Sequence, residues 1–122
     1  MFKTPSTKAR FTAALIGALI GASAIACSTS SFAVSRTEVK QIVIEEAQRS
    51  TVPPALALAV AKVESDFQER VRSHKGARGV MQIMPATARG EFGVDADELW
   101  DPRLNIQLGI DFLERHYAQY GG

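Results

Sequence analysis

Apolar residues in the middle of the chain recur at helical spacing. Val39, Ile42, Val43 and Ala47 fall three and four residues apart. Ser35 with Glu38 ahead of them forms a capping-box pattern, so the spacing predicts an amphipathic helix over about 36–49. Thr51-Val52-Pro53-Pro54 interrupts it, and prolines in a first turn suit a new start. From Ala55 to Phe67 nearly every position is apolar, and a helix apolar on all sides is expected in the middle of a core. Between Gln68 and Gly79 the pattern is lost. Arg70, Arg72, Lys75 and Arg78, with Gly76 and Gly79, make a basic, turn-rich loop there. Val80-Met81-Gln82-Ile83-Met84 is a short apolar piece bounded by Pro85, Ala86–Phe92 reads as one further short helix, and Gly93–Trp100 as an acidic loop. Asp101-Pro102 supplies an N-cap and a proline at the first helical position. Leu104, Ile106, Ile110, Leu113 and Tyr117 then carry a long helix to Gly121-Gly122, where a glycine cap is expected. No strand-like alternation, phosphate-binding glycine loop or internal repeat occurs. The expected fold class is all-α.

The start of the chain obeys a different rule. Lys3, Lys8 and Arg10 precede an uncharged run from Phe11 to Ala26, which is shorter than the ~20 apolar residues a spanning helix needs. Basic start, short apolar stretch and small-residue exit form a secretory signal pattern, placing a signal peptide at 1–33 and a mature domain at 34–122. Ser31 and Ala33 are the small residues at the expected cleavage point. Ala24-Ile25-Ala26-Cys27 resembles a bacterial lipoprotein box without its usual leucine, so a lipid on Cys27 and a membrane-attached protein are the alternative. The expected location is the periplasm, with secretion as a further alternative.

Composition narrows the class without naming a chemistry. Hydrophobic residues at 46% and charged residues at 22% of 122 belong to one globular domain. A net charge of +1 gives no reason to expect a nucleic-acid partner. One cysteine and two histidines supply neither a disulfide nor a zinc cluster, and no metal or cofactor is expected. Residues 34–122 hold no cysteine, so packing must stabilise a domain whose size buries only about 60–65% of its unfolded surface.

Glu64 is the residue out of place. On a helix it shares a face with Val60 and Phe67, whereas Lys62 and Asp66 lie elsewhere on the wheel. Burial there would disfavour the ionised carboxylate and raise its pKa, and the helix C-terminus would push the same way. Such a carboxyl can hold a proton and give it to a leaving group. The plainer alternative is an ion pair with Arg70 or Arg72. Taken singly, Ser65 reads as a solvated helix-end residue, Met81 as core filling and Gln82 as a surface amide. Asn105 reads as structural, bonding the backbone or a loop. His74 and His116 read as solvent-facing. The Arg70–Arg78 charges read as a solvated loop, with acidic stem peptides or cell-wall polymers as the alternative contact.

Glu64-Ser65-Asp66-Phe67, followed by Ser73-His74-Lys75-Gly76-Ala77-Arg78-Gly79-Val80-Met81-Gln82-Ile83-Met84-Pro85-Ala86-Thr87-Ala88, resembles the catalytic domain of the soluble lytic transglycosylase (SLT) family. Asp101-Pro102-Arg103-Leu104-Asn105-Ile106, with Gly109 and Phe112-Leu113, fits that family's next helix, and the resemblance runs from about Val39 to Gly122. It implies a lysozyme-like fold related to goose-type lysozymes. It also implies that Glu64 is the sole catalytic acid and base, that Ser65 bonds near the reacting sugar, and that Met81 and Gln82 line a glycan cleft. Gly79 would give close backbone approach.

Ordinary glycoside hydrolases need two flanking carboxylates. Near Glu64 the candidates are Asp66, which points to a different helical face, and Glu69; Asp97 or Asp101 would have to fold back. The resemblance implies no second one. Glu64 would protonate the oxygen linking N-acetylmuramic acid to N-acetylglucosamine, then take the proton from the muramic C6 hydroxyl as it closes on C1. The sugar's own acetamido group would steady the oxocarbenium-like centre. Peptidoglycan glycan strands would be the substrate and a 1,6-anhydromuramyl end the product. Two other readings are a hydrolytic lysozyme and a non-catalytic glycan-binding or assembly subunit, with a secretion or motility apparatus as partner. The family domain normally continues into a helix carrying Ala-Tyr-Asn-Ala-Gly, whose tyrosine faces the glutamate. Nothing here matches it, since Tyr117 and Tyr120 belong to the preceding helix, so the domain is expected to stop before its last helices.

Overall fold

A computed structural model describes residues 33–120; the expected signal peptide up to residue 32, with Cys27, and the glycines at 121 and 122 lie outside the described residues. Four α-helices and one 3-10 helix follow in order: α1 (Arg36–Gln48), α2 (Pro54–Ser65), α3 (Pro85–Phe92), the 3-10 helix (Ala96–Trp100) and α4 (Pro102–Gln119). Among the described residues there is no strand, only two isolated bridges joining Arg78 to Arg72 and to Ile83. Among the described residues the fold is all-α, as expected.

Helix α1 begins where the capping box puts it. The Glu38 amide donates to Ser35 Oγ at 3.2 Å, and the Ser35 amide donates to the Glu38 carboxylate at 2.8 Å. Its buried face (Val39, Val43, Ala47) packs on both α2 and α4, making α1 the central helix. Glu46, also buried, receives Arg103 of α4 at 2.5 Å and Arg49 at 3.2 Å, while Arg103 reaches Glu45 at 2.9 Å. A buried carboxylate is tolerated when it is paired in this way. Helix α4 is held again at its far end, where Glu114 accepts both the amide and the hydroxyl of Thr51 at 2.9 Å. Leu99, Ile106, Val52 and Val80 complete the fully buried core.

Two expectations need correction. The first concerns α2, the most apolar helix, which is not in the middle of the core. It buries only Ala57, Ala61 and Ser65, whereas Leu56 is 36% and Val63 84% exposed. Its fully buried residues are all small; Leu58 and Val60 are partly buried against the core, and Leu56 and Val63 turn outward. Helix α2 also stops at Ser65, because Asp66 and Phe67 both adopt left-handed backbone (φ +52° and +61°) and reverse the chain. The second concerns Gly93–Trp100, which is partly a 3-10 helix rather than a loop. Glu98 accepts the Asp95 amide at 2.8 Å, an acidic start of the kind that satisfies free helix-end amides.

Candidate active site

The C-terminal half of α2, the segment 81–84 with Thr87 of α3, and the middle of α4 border a cleft of about 260 Å³. Met81, Gln82 and Ile83 line its floor, Gly109, Phe112 and Leu113 of α4 form one wall, and Glu64 stands with Val60 on the other. Glu64 is exposed to the cleft rather than buried. The desolvation expected from an all-apolar helix is therefore not present among the described residues, because that side of α2 faces open space.

The other candidate carboxylates are engaged elsewhere. Asp66 pairs with Lys62 and, at 3.2 Å, with Arg36; the Lys62 hydrogen bond holds its carboxyl below the usual range. Glu69 accepts the Val34 amide at 3.3 Å. Asp97 pairs with Arg78 at 3.0 Å, and Asp101 caps α4 by accepting the Arg103 and Leu104 amides at 2.9 and 3.1 Å. None of the four lines the cleft. Among the described residues Glu64 is its one carboxylate.

The floor is shaped by backbone that few residues adopt easily. Gly79 has φ +79°, and a Cβ there would sit 2.8 Å from the Leu99 carbonyl oxygen and from Asn105 Cγ. Gln82 has φ +50°, a conformation costing of order 1–3 kcal/mol in a residue with a side chain. Its amide offsets part of that by donating to the carbonyls of Val71 (3.0 Å) and Gly79 (2.9 Å). Met81 seats against α4 only because Gly109 lacks a side chain; a Cβ there would lie 2.5 Å from that of Met81.

Of the site residues expected from sequence, Glu64, Met81 and Gln82 meet in the cleft. Ser65 and Gly79 do not: both are buried behind its floor. Ser65, 5% exposed, donates to the Val80 carbonyl at 2.7 Å. Asn105, expected to be structural, is fully buried and makes three hydrogen bonds. Its Oδ1 accepts the Met81 amide at 2.8 Å, and its Nδ2 donates to the carbonyls of Arg78 (2.8 Å) and Leu99 (3.0 Å). Sequence reasoning gave no role to Gly109 or to the Phe112 wall. A glycine inside a strongly patterned helix was the available signal, since it costs about 1 kcal/mol against alanine unless something packs there.

This is the architecture of a helical domain with a single-carboxylate cleft, and its relatives share a family. The model of the transglycosylase SLT domain matches residues 41–122, and the chain belongs to that family. It is 38% identical over 77 residues to the soluble lytic murein transglycosylase of Escherichia coli K12, covering 57% of this chain but 12% of that protein. Against the membrane-bound lytic murein transglycosylase C of Haemophilus influenzae identity is 31% over 87 residues, covering 65% and 24%. The crystal structure of the 70 kDa soluble lytic transglycosylase of Escherichia coli superposes with a TM-score of 0.60 at 33% identity, over 66% of this chain and 14% of that one. An inactive glutamate-to-glutamine mutant of the lytic transglycosylase Slt from Pseudomonas aeruginosa gives 0.61 at 30%, over 68% and 14%. The chain thus spans about an eighth of the length of the soluble relatives it matches.

Proposed function

We propose that the chain is the catalytic module of a peptidoglycan lytic transglycosylase, with Glu64 as its acid and base. One observation carries this reading: among the described residues a single carboxylate lines the cleft. A hydrolase of the usual kind uses two, one acid and one base or nucleophile. With one, the same group must give a proton to the leaving oxygen and take one from the attacking group. An internal hydroxyl attached to the reacting sugar suits that sequence, because it is already held near the centre it attacks. Glu64 protonates the oxygen between N-acetylmuramic acid and N-acetylglucosamine, the C1–O bond breaks, and the C6 hydroxyl closes on C1 as Glu64 recovers the proton. The product is a 1,6-anhydromuramyl end, and no water is consumed. The apolar wall of Phe112 and Leu113 and the floor at Met81 suit the faces of sugar rings; Gln82 adds a polar edge. The names of the relatives, one of them inactive with glutamine in place of a glutamate, support this chemistry.

Glu64→Gln keeps the volume and removes the proton. Folding should survive while release of soluble fragments from purified peptidoglycan falls by about 10²–10⁴-fold, the usual worth of general acid–base catalysis. Mass spectrometry of the wild-type products should give anhydromuramyl ends; reducing muramic ends would turn the reading to a lysozyme-type hydrolase. Binding without cleavage would turn it to a glycan-binding subunit. Full activity in Glu64→Gln would remove Glu64 from the mechanism.

Export belongs to the same proposal, because the substrate lies outside the cytoplasm. Protein recovered from the periplasm of a Gram-negative host should begin near Val34. An N-terminus at Met1 would defeat the signal reading, and a lipid on Cys27 would place the domain on a membrane.

A further inference from the structure

Ser65 and Asn105 lie on different helices, and neither lines the cleft. They nevertheless grip the same peptide group. Ser65 Oγ, from α2, donates to the Val80 carbonyl at 2.7 Å, while Asn105 Oδ1, from α4, accepts the adjoining Met81 amide at 2.8 Å. We propose that the Val80–Met81 peptide is a strut between the acid-bearing helix and the opposite wall, with Ser65 and Asn105 as positioning residues that set Glu64 at its working distance from α4. The inference rests on Glu64 being the acid.

Three observations give the strut its force. First, α2 packs chiefly on α1, and α4 on α1 and the 3-10 helix, so α2 and α4 share no extensive face. Helix α1 carries both from one side, and the Val80–Met81 peptide bonds directly to each of them on the cleft side. Second, both ends of the strut are locked. Ser65 is 5% and Asn105 0% exposed, and the two Nδ2 bonds of Asn105 fix its amide in one orientation. A peptide held at carbonyl and amide by buried groups cannot rotate without leaving a buried polar atom unpaired, which is costly. Third, the strut is adjacent to the chemistry at each point. Ser65 follows Glu64 in sequence, Met81 forms the floor, and Asn105 is one helical turn before Gly109 on the wall. Gln82 follows at once in its left-handed conformation, so a rotated peptide would also re-aim the next cleft residue.

The experiment uses the full chain, soluble glycan strands and three variants: S65A, N105A and the double variant. Thermal melts give the folded fraction, against which turnover is normalised. A strut predicts that S65A lowers kcat by about 10–100-fold, as a small misplacement of a catalytic group does, with KM within about threefold. It also predicts that the double variant is no worse than the worse single one, because either change releases the same peptide. A second readout needs no activity. S65A touches only the carbonyl end, yet it should accelerate hydrogen exchange at the Met81 amide. Normal turnover per folded S65A molecule, or single-variant losses that multiply in the double, would overturn the proposal. If N105A does not fold, S65A decides alone by kcat and Met81 exchange. If the wild type cleaves no glycan, the Glu64 reading fails and exchange judges the strut: faster Met81 exchange in S65A upholds it, and an unchanged rate overturns it.

Discussion

Helices α1 and α2 adjoin in sequence and pack together, yet they use apolar residues in opposite ways. Helix α1 is amphipathic; it buries its valines at 39 and 43 and surrounds them with paired charges. Helix α2 is far more apolar, but it buries alanines and leaves Leu56 and Val63 exposed. Apolar content therefore does not say which helix is central. What decides is where large side chains meet a complementary surface. Helix α1 is packed on by two helices, whereas α2 has one close neighbour and, at Val60 and Glu64, borders a cleft.

The sharpest test of this contrast uses one substitution at two addresses. Val43→Ala removes two buried methyl groups and leaves a cavity, and should cost about 2–3 kcal/mol in chemical denaturation. Val63→Ala, at an exposed site, should stay within about 0.5 kcal/mol. Equal losses would mean that α2 is covered in solution as α1 is. A smaller effect is expected at the cleft wall. Gly109→Ala improves helix propensity by about 1 kcal/mol but drives a Cβ into Met81, and overpacking costs about 1–3 kcal/mol. Net stability should fall slightly while glycan turnover falls more, because the displaced residue is the cleft floor. A gain in stability with unchanged turnover would show that Met81 has room to move.

The smallest effect concerns pH. Bonds from Thr51 hold the Glu114 carboxyl below its ordinary value of 4.5, and bonds from Arg103 and Gln41 do the same for Glu45. A depressed folded-state pKa contributes stability that is complete above the unfolded value and is lost as pH falls through the folded one. The melting temperature should be flat through neutral pH and decline below about pH 4.5. Glu114→Gln should lower the plateau slightly and shallow the acid limb, as melts taken across pH would register. An unchanged limb would mean that the Thr51 bonds contribute nothing to it.

Much of this was legible in the sequence, for identifiable reasons. Capping residues act locally, so Ser35, Asp101 and Pro102 marked helix starts that the structure reproduces. Glu64, Met81 and Gln82 were singled out together because they stood in a motif, and the structure brings the three to one cleft. The exposure of Glu64 was not legible: the wheel shows that a face is apolar, not whether another element covers it. The 3-10 helix was hidden because Asp95, Asp97 and Glu98 read as loop charges when one of them serves the backbone. That Ser65 and Gly79 sit behind the floor was not legible either, since their partners Val80 and Asn105 lie 15 to 26 residues away. Spacing does not reveal such pairings.

The left-handed pair Asp66-Phe67 also bears on how freely this chain can vary. It ends α2 directly after Glu64 and Ser65. Further on, Ser73–Ala77 closes on itself: the Ser73 amide donates to the Ala77 carbonyl at 2.9 Å, the Ala77 amide to Ser73 Oγ at 3.0 Å, and the Gly76 amide to the Ser73 carbonyl at 3.0 Å. At its tip His74 and Lys75 are exposed, and Gly76 has open space around it. A turn closed by its own bonds transmits little to its surroundings, and exposed tips are where insertions are tolerated. Lengthening a surface loop costs only about 0.6 kcal/mol for each doubling. This tip is thus a point at which a short peptide tag or an added recognition loop can be grafted without re-aiming Glu64.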